Sequence, residues 1–245
     1  MTTVAVLGAT SGIAHAALRL WAAREADFRL IGRDADKLSR VEADLTARGA
    51  TSVISTILDL GSVDGVDAAV KAAFAPGPVD VVLIAFGTMP SQEEADADAQ
   101  VAASLLTVNG SLNVLAAHLA TLELIAQGGG SLAIIGSVAG DRGRQSNYLY
   151  GSAKAMAATA AAGLQHRVAG TEVSVTLVKP GPTATPMTDH LRGGRMQLAK
   201  VETVAGDIVS GVDRRRPVVY TPRKWALIMQ VIRVIPRRVF ERTKL

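Results

Sequence analysis

Six runs of apolar residues recur along the chain, each short enough for a strand: TVAVLGA from Thr3, DFRLIGR from Asp27, SVISTILDL from Ser52, VDVVLIAFG from Val79, GSLAIIGS from Gly130 and VSVTLVKPG from Val173. The runs are near-continuous and do not alternate, which is the pattern of strands buried on both faces of a sheet. Alanine-rich stretches between them predict helices near residues 12–25, 34–49, 64–74, 93–126, 147–169 and 202–211, with another near 223–235. A shorter run, RPVVYTP from Arg216, extends one edge. Strand and helix in alternation read as βαβ units. The fold class is therefore α/β: one doubly wound, mainly parallel sheet of about seven strands with helices on both faces. In such a sheet ligands bind beyond the carboxyl ends of the strands, so the residues just after each run are the candidates for chemistry.

Composition narrows this picture. A chain of 245 residues with no Pro/Gly/Ser linker and no internal repeat fits one domain. There is no cysteine, and the histidines, His15, His118, His166 and His190, are scattered, so neither disulfides nor a clustered metal site is expected and a reducing cytoplasm fits. The opening MTTVAVLGATSGIA has no leading Lys or Arg and runs straight into glycines, which reads as a buried strand and turn instead of a secretory signal. No uninterrupted apolar span approaches the length that crosses a bilayer. The net charge of +4 is unevenly placed: residues 211–245 hold ten Lys and Arg against two acids, and the rest of the chain is net acidic. With 4% aromatic residues the chain offers little for stacking bases, and no nucleic-acid partner is expected.

After the first strand, GATSGIA places Gly8 and Gly12 around a turn into a helix, with Thr10, Ser11 and Ile13 between and beyond them. Glycine lets backbone approach a phosphate without a Cβ, and the free N–H groups of a helix start attract a pyrophosphate. The plain alternative is a strand-to-helix turn. An acidic residue that would bind the adenosine ribose is missing about twenty positions on: Gly32 stands there, followed by Arg33. An arginine pairs with a 2′-phosphate, so NADP is expected over NAD; otherwise Arg33 is a surface cation balanced by Asp34 or Asp36. Asp59, followed by Leu60 at the third strand's end, suits the adenine amino group, or caps the next helix.

Catalytic chemistry gathers around SNYLYGSAKA from Ser146. Tyr150 and Lys154 are four apart and share a helix face, whereas Tyr148 points elsewhere. A phenol that exchanges protons near neutral pH needs its pKa lowered by roughly three units, and a nearby ammonium favours the phenolate. Ser137 ends the preceding strand thirteen residues earlier and is placed to hold a carbonyl oxygen. Asn109, inside the long fourth helix region, is placed to bend that helix and to offer its amide to a water leading to the lysine. Singly, each of these has an ordinary structural explanation.

Together, in this order and on this scaffold, Asn109, Ser137, Tyr150 and Lys154 resemble the catalytic tetrad of the short-chain dehydrogenases/reductases, and Gly8 to Ala14 resembles that family's glycine turn, with Ala14 in place of its last glycine. PGPTATPM resembles the family's Pro-Gly segment, which implies that Pro180 and Gly181 turn the chain beneath a nicotinamide and that Thr183 and Thr185 contact its carboxamide. The likeness spans residues 3 to about 221. It implies a Rossmann-type single domain, with residues 1–222 as the cofactor-binding and catalytic part and 223–245 as a basic amphipathic extension of it. It further implies hydride transfer between NADP(H) and a carbonyl or alcohol. Tyr150 would act as acid and base, Ser137 would hold the substrate oxygen, and Lys154 would lower the tyrosine pKa and bind the nicotinamide ribose. Asn109 would support the proton relay, and the chain would be a homodimer or homotetramer through helices around 93–126 and 147–169. One departure stands out: the family's Asn-Asn-Ala-Gly after the fourth strand is replaced by Ile84, Ala85, Phe86 and Gly87, so the amide hydrogen bonds that steady this turn are missing. A protein that keeps the fold only to sense cofactor redox state is the alternative, and it would not need the proton donor.

The tail, RKWALIMQVIRVIPRRVFERTKL, places Ala226, Gln230, Arg233 and Arg237 on one narrow stripe and leaves a wide apolar face from Trp225 to Ile235. It is too short to span a bilayer. It suits either a helix lying on an anionic membrane surface at the inner face of the membrane, or one packed on its own domain or on a subunit. The tail, AFG after the fourth strand and YLYGSAKA together resemble a subgroup represented by the decaprenylphosphoryl-2-keto-ribose reductases, which implies a keto-sugar on a polyprenyl phosphate. Residues 186–201, with paired glycines, are expected to form a lid over the substrate.

Overall fold

The computed structural model describes residues 2–191 and 197–243. Seven parallel strands form one sheet: β1 (Thr3–Leu7), β2 (Asp27–Gly32), β3 (Ser52–Ile57), β4 (Val81–Ile84), β5 (Gly130–Ile135), β6 (Val173–Pro180) and β7 (Val218–Thr221). Their order is β3-β2-β1-β4-β5-β6-β7, so the chain winds outward from β1 to one edge and then returns to its other side. The expected single-domain Rossmann-type sheet is therefore present, with its switch point between β1 and β4.

Alternation along the strands sends side chains to two cores. From β1, Val4 and Val6 join α1 (Gly12–Ala22), α2 (Ala35–Ala47) and α8 (Val201–Asp213), where Leu18, Trp21, Leu38, Leu45 and Ile208 are buried. Ala5 and Leu7 face the opposite layer of α3 (Val63–Phe74), α6 (Asn113–Ala126) and α7 (Tyr148–Arg167), with Val66, Val70, Leu124 and Leu164. The one charged side chain buried in β2, Arg29, is 9% exposed and donates to the carbonyls of Ala73 at 2.5 Å, Gly77 at 2.6 Å and Pro78 at 3.1 Å. It thereby satisfies carbonyls at and beyond the end of α3 that no helical turn can reach.

The predicted 93–126 helix is divided. Ser91 and Glu94 form a capping box that starts α4 (Gln92–Ala97), and Asp98 caps α5 (Ala99–Leu106) by accepting from Gln100 N at 2.7 Å. A π-helical turn, Thr107–Leu112, then joins α5 to α6. The run Ala99–Ala126 has a window of mean hydropathy 1.3 and is long enough to cross a bilayer, yet half of that window is buried inside the protein.

The tail forms α9 (Lys224–Val234) and α10 (Arg237–Phe240). One side of α9 packs on its own domain, where Met229 and Ile232 are buried against Val138, with Trp225, Ile228 and Phe240 around them. Each such buried side chain contributes about 1.5–3 kcal/mol. Arg142 fastens this contact by donating to the carbonyls of Ile232 and Ile235 and lying 3.8 Å from the Phe240 ring centroid. The wide apolar face read from the helical wheel is thus split, because Leu227, Val231 and Val234 remain exposed on the far side.

Candidate active site

The strands end in register, Leu7 beside Ile31 and Ile84, and Ile135 beside Val178, so the loops that follow them converge on one rim. A cleft of about 1130 Å³ opens there, bounded by Ser11, Ala85, Asn109, Ser137, Tyr150 and Lys154, and floored by Pro180 to Thr185. At its nucleotide end Gly8 adopts φ +92°, and a Cβ at this position would lie 2.5 Å from Phe86 N. Ser11 begins α1 without a side-chain cap, which leaves the first N–H groups of the helix open toward the cleft. Gly12 starts the helix against Thr185, and Ile13 also lines the cleft; Thr10 completes the turn. This glycine cradle with an uncapped helix start fits a dinucleotide pyrophosphate.

Arg33, Asp59 and Leu60 lie outside that cleft, at the ends of β2 and β3. Arg33 is exposed and, among the described residues, no ion pair reaches it. Asp34 does not balance it: its side chain caps α2 at Lys37 N, 3.0 Å away, and pairs with Lys37 Nζ at 3.0 Å. Nor does Asp59 cap α3, since Ser62 does so through Gly65 N at 3.0 Å; the Asp59 carboxylate instead accepts from Gly61 N at 3.2 Å. Leu60 is a core residue, 6% exposed.

Asn109 is fully buried in the π-helical turn, where the α-helical ladder is interrupted. Its amide, however, is committed to the loop after β4: Oδ1 accepts from Thr88 N at 2.9 Å and Nδ2 donates to Thr88 O at 2.6 Å. This differs from an amide held free for a water. It also explains how the turn survives without the family asparagines, because Asn109 grips Thr88 while Asn113 donates to Phe86 O at 3.3 Å. Gly87 is needed beneath that clamp, as a Cβ there would lie 2.5 Å from Asn109 Oδ1.

Tyr150 and Lys154 occupy one face of α7, with Lys154 Nζ 5.8 Å from the tyrosine ring centroid. Tyr148 points away, its hydroxyl donating to Asp96 Oδ1 at 3.2 Å. Ser137 Oγ accepts from Ala139 N at 3.1 Å, which turns it toward the cleft at the start of a 3-10 turn, Val138–Asp141. Burial pushes the Tyr150 phenol above its ordinary pKa, and a hydrogen bond with Ser137 opposes the shift. Lys154, 5% exposed, donates to Ile135 O at 2.9 Å, and burial pushes its pKa down to about 8. The Lys154 ammonium is turned toward the Ile135 carbonyl, and burial is the largest influence on the Tyr150 phenol.

The floor of the cleft is stiff. A Cβ on Gly181 would meet Trp225 Nε1 of α9 at 1.9 Å, and Thr183 Oγ1 donates to Gly181 O at 2.8 Å. Thr188 donates to Thr183 O and accepts from Thr185 N at 3.1 Å. Of the expected lid, Pro186–Leu191 forms a 3-10 turn and Ala199 pairs with Pro182 and Ala184, while the paired glycines lie outside the described residues. Sequence reasoning missed Phe86, Met89, Leu105 and Arg144 as cleft residues. For Arg144 a signal existed, a polar loop, DRGRQ, directly between the serine and the tyrosine.

The profile of the short chain dehydrogenase family matches residues 2–195. The chain belongs to this family. Similar full-length relatives include an uncharacterized oxidoreductase of Streptomyces coelicolor, 34% identical over 97% of this chain and 94% of that one, and one of Mycobacterium tuberculosis, 33% identical over 98% and 96%. Among solved structures, a short-chain dehydrogenase from Sphingobium yanoikuyae in complex with NADPH shares the fold at TM-score 0.83 and 22% identity, covering 97% of each chain. A bulky-bulky ketone specific alcohol dehydrogenase from Comamonas testosteroni superposes at TM-score 0.80 and 19% identity, covering 97% of this chain and 96% of that one. As a short-chain dehydrogenase the protein is an oxidoreductase whose fold binds a nicotinamide cofactor.

Proposed function

We propose that the protein reduces a carbonyl to an alcohol with NADPH, using Tyr150 as the proton donor. The observation that carries this reading is the convergence of Ser137, Tyr150 and Lys154 in one cleft with the glycine turn. Bound NADPH supplies the hydride that the carbonyl carbon accepts. Ser137 holds the carbonyl oxygen, and Tyr150 gives that oxygen its proton as negative charge develops there. A phenol kept above its ordinary pKa is protonated at neutral pH and ready to donate. Once it has donated, the phenolate needs a neighbouring cation, and a Lys154 with a pKa of about 8 is still mostly ammonium at pH 7. Lys154 also holds the nicotinamide ribose, and Pro180, Gly181, Thr183 and Thr185 form the surface under the nicotinamide. NADP is the preferred cofactor because Arg33 offers an exposed guanidinium at the end of β2 that no ion pair among the described residues reaches. A redox sensor without turnover would have no use for the serine and tyrosine.

NADPH oxidation against a panel of carbonyls, including polyprenyl-phosphate keto-sugars, tests the activity. Tyr150→Phe should lower the rate by about 10²–10⁴-fold, and a near-normal rate in that variant removes the assignment. Arg33→Asp should shift preference from NADPH toward NADH.

A second reading concerns where the enzyme works. Leu227, Val231, Val234 and Val239 are exposed on the tail beside Arg223, Lys224, Arg238 and Arg242, and Thr243 borders the cleft mouth. An apolar strip flanked by cations suits peripheral contact with an anionic membrane at the cytoplasmic face, and a lipid-linked substrate. Flotation with anionic phospholipid vesicles, lost in Leu227→Glu/Val234→Glu, tests it. Exposed Leu122 and Ile125 on α6 and Met156 on α7 support a homodimer or homotetramer, measurable by light scattering.

A further inference from the structure

The loop between Ser137 and Tyr150 carries a cation that the proposed chemistry leaves unused. Arg144 lines the same cleft as Ser137 and Tyr150, with Gln145, Ser146 and Asn147 beside it in sequence. Its Nε is sealed from solvent without a hydrogen-bond partner, and among the described residues no other guanidinium nitrogen is in that state. The contrast with its neighbours is clear. Arg142 is bonded to the tail carbonyls, and Arg29 to three carbonyls near the end of α3. Burial pushes the pKa of Arg144 down, with no carboxylate acting in the other direction. The acids of the cleft, Glu93 and Asp96, are exposed, and Asp96 already accepts from Gln92 at 2.9 Å and Tyr148 at 3.2 Å. Asn147 adds a second open group, its Oδ1 buried without a donor.

Arg144 is only half-buried, but a guanidinium with its Nε withdrawn from water and unpartnered carries a cost that falls when an anion enters beside it. The cofactor phosphates belong at the glycine turn before α1, a different element from the loop that carries Arg144. Resting on the carbonyl-reduction reading, we infer that Arg144 is a specificity-determining residue that holds an anionic group, a carboxylate or phosphate, on the carbonyl substrate. Its planar fork meets either group with two parallel N–H···O bonds. Asn147 then accepts from a hydroxyl on the same substrate.

Matched pairs of carbonyl compounds test this: phenylglyoxylate against its methyl ester for a carboxylate, and dihydroxyacetone phosphate against dihydroxyacetone for a phosphate. With NADPH, the charged member of at least one pair should be favoured by about 10- to 100-fold in kcat/KM, mostly through KM. Arg144→Gln should bring that ratio close to one, and Arg144→Lys should keep part of it. A wild-type protein that treats both members of each pair alike, or a glutamine variant that keeps the ratio, overturns the inference. Calorimetric titration of the same pairs into the full chain with NADPH reads the preference without turnover. Arg144-dependent binding of the charged member with no reduction would remove the reductase reading and leave this one standing. Equal binding within each pair, or none by any member, overturns it.

Discussion

Replacing Gly8 by alanine probes the cofactor cradle through two separable costs. At φ +92° any residue with a Cβ is strained, and this costs about 1–2 kcal/mol. The added Cβ would also lie 2.5 Å from Phe86 N, 2.7 Å from Phe86 Cα and 2.8 Å from Phe86 Cβ. Two of these three contacts are with backbone, which cannot rotate away, so the β1 turn or the loop after β4 must move, at about 1–3 kcal/mol. Gly128 supplies the control. It has the same φ of +92° and nothing within 4 Å of its ideal Cβ, so Gly128→Ala meets only the first cost. In a domain of this size each kcal/mol is worth about 2–4 °C of Tm. Gly128→Ala should therefore lower Tm by about 4–5 °C and Gly8→Ala by about 10 °C, read by circular dichroism melts. NADPH titration should show weaker binding for Gly8→Ala alone, since Gly128 lies in the turn between α6 and β5, away from the cleft. Equal Tm losses for the two variants would refute the argument that the Phe86 backbone blocks the site.

Two further outcomes follow from the same geometry. Lys154→Met should abolish reduction yet raise Tm by several degrees at pH 7, because a desolvated ammonium with a pKa near 8 costs the fold about 3 kcal/mol. The sign sets the pH window: the cost is full below pH 8 and fades as pH rises toward the ordinary lysine value, so the Tm gap should close between about pH 8 and 10.5. A gap that widened over that range would contradict the assignment. Arg142→Met removes the bonds to the Ile232 and Ile235 carbonyls and the contact with Phe240. Limited proteolysis should then cut the tail at lower protease concentration, and unchanged protection would show that apolar packing alone holds it.

The five inner strands were legible because a doubly buried strand is nearly apolar throughout, whereas the edge strands differ: β3 leaves Ile54 and Ile57 exposed and β7 is only partly covered. The meeting of Ser137, Tyr150, Lys154 and Asn109 was legible for a different reason, since in chain order they resemble the family's tetrad, and all four line one cleft. What escaped depends on partners distant in the chain. Ser91 with Glu94 is a readable capping box, but the short polar helix α4 and the apolar run of α5 onward read as one stretch, which masked the break at Asp98. Nothing in DFRLIG shows why Arg29 stands in a buried strand, because its three carbonyl partners lie at the end of α3 and in the turn after it. The loss of the family asparagines after β4 looked destabilising because Asn109 and Asn113, which replace their bonds, lie more than twenty residues downstream. The tail was undecidable from its wheel alone: both sides are apolar, and only the position of Val138 shows which one is covered.

The attachment of α9 and α10 beside the cleft bears on how the protein should be handled at the bench. Thr243 already borders the cleft, so a bulky label attached at that residue would crowd the entrance and report a hindered enzyme. The opposite terminus begins β1 at Thr3, on the rim of the sheet away from the chemistry, and is the place to attach a tag, a dye or a surface linker.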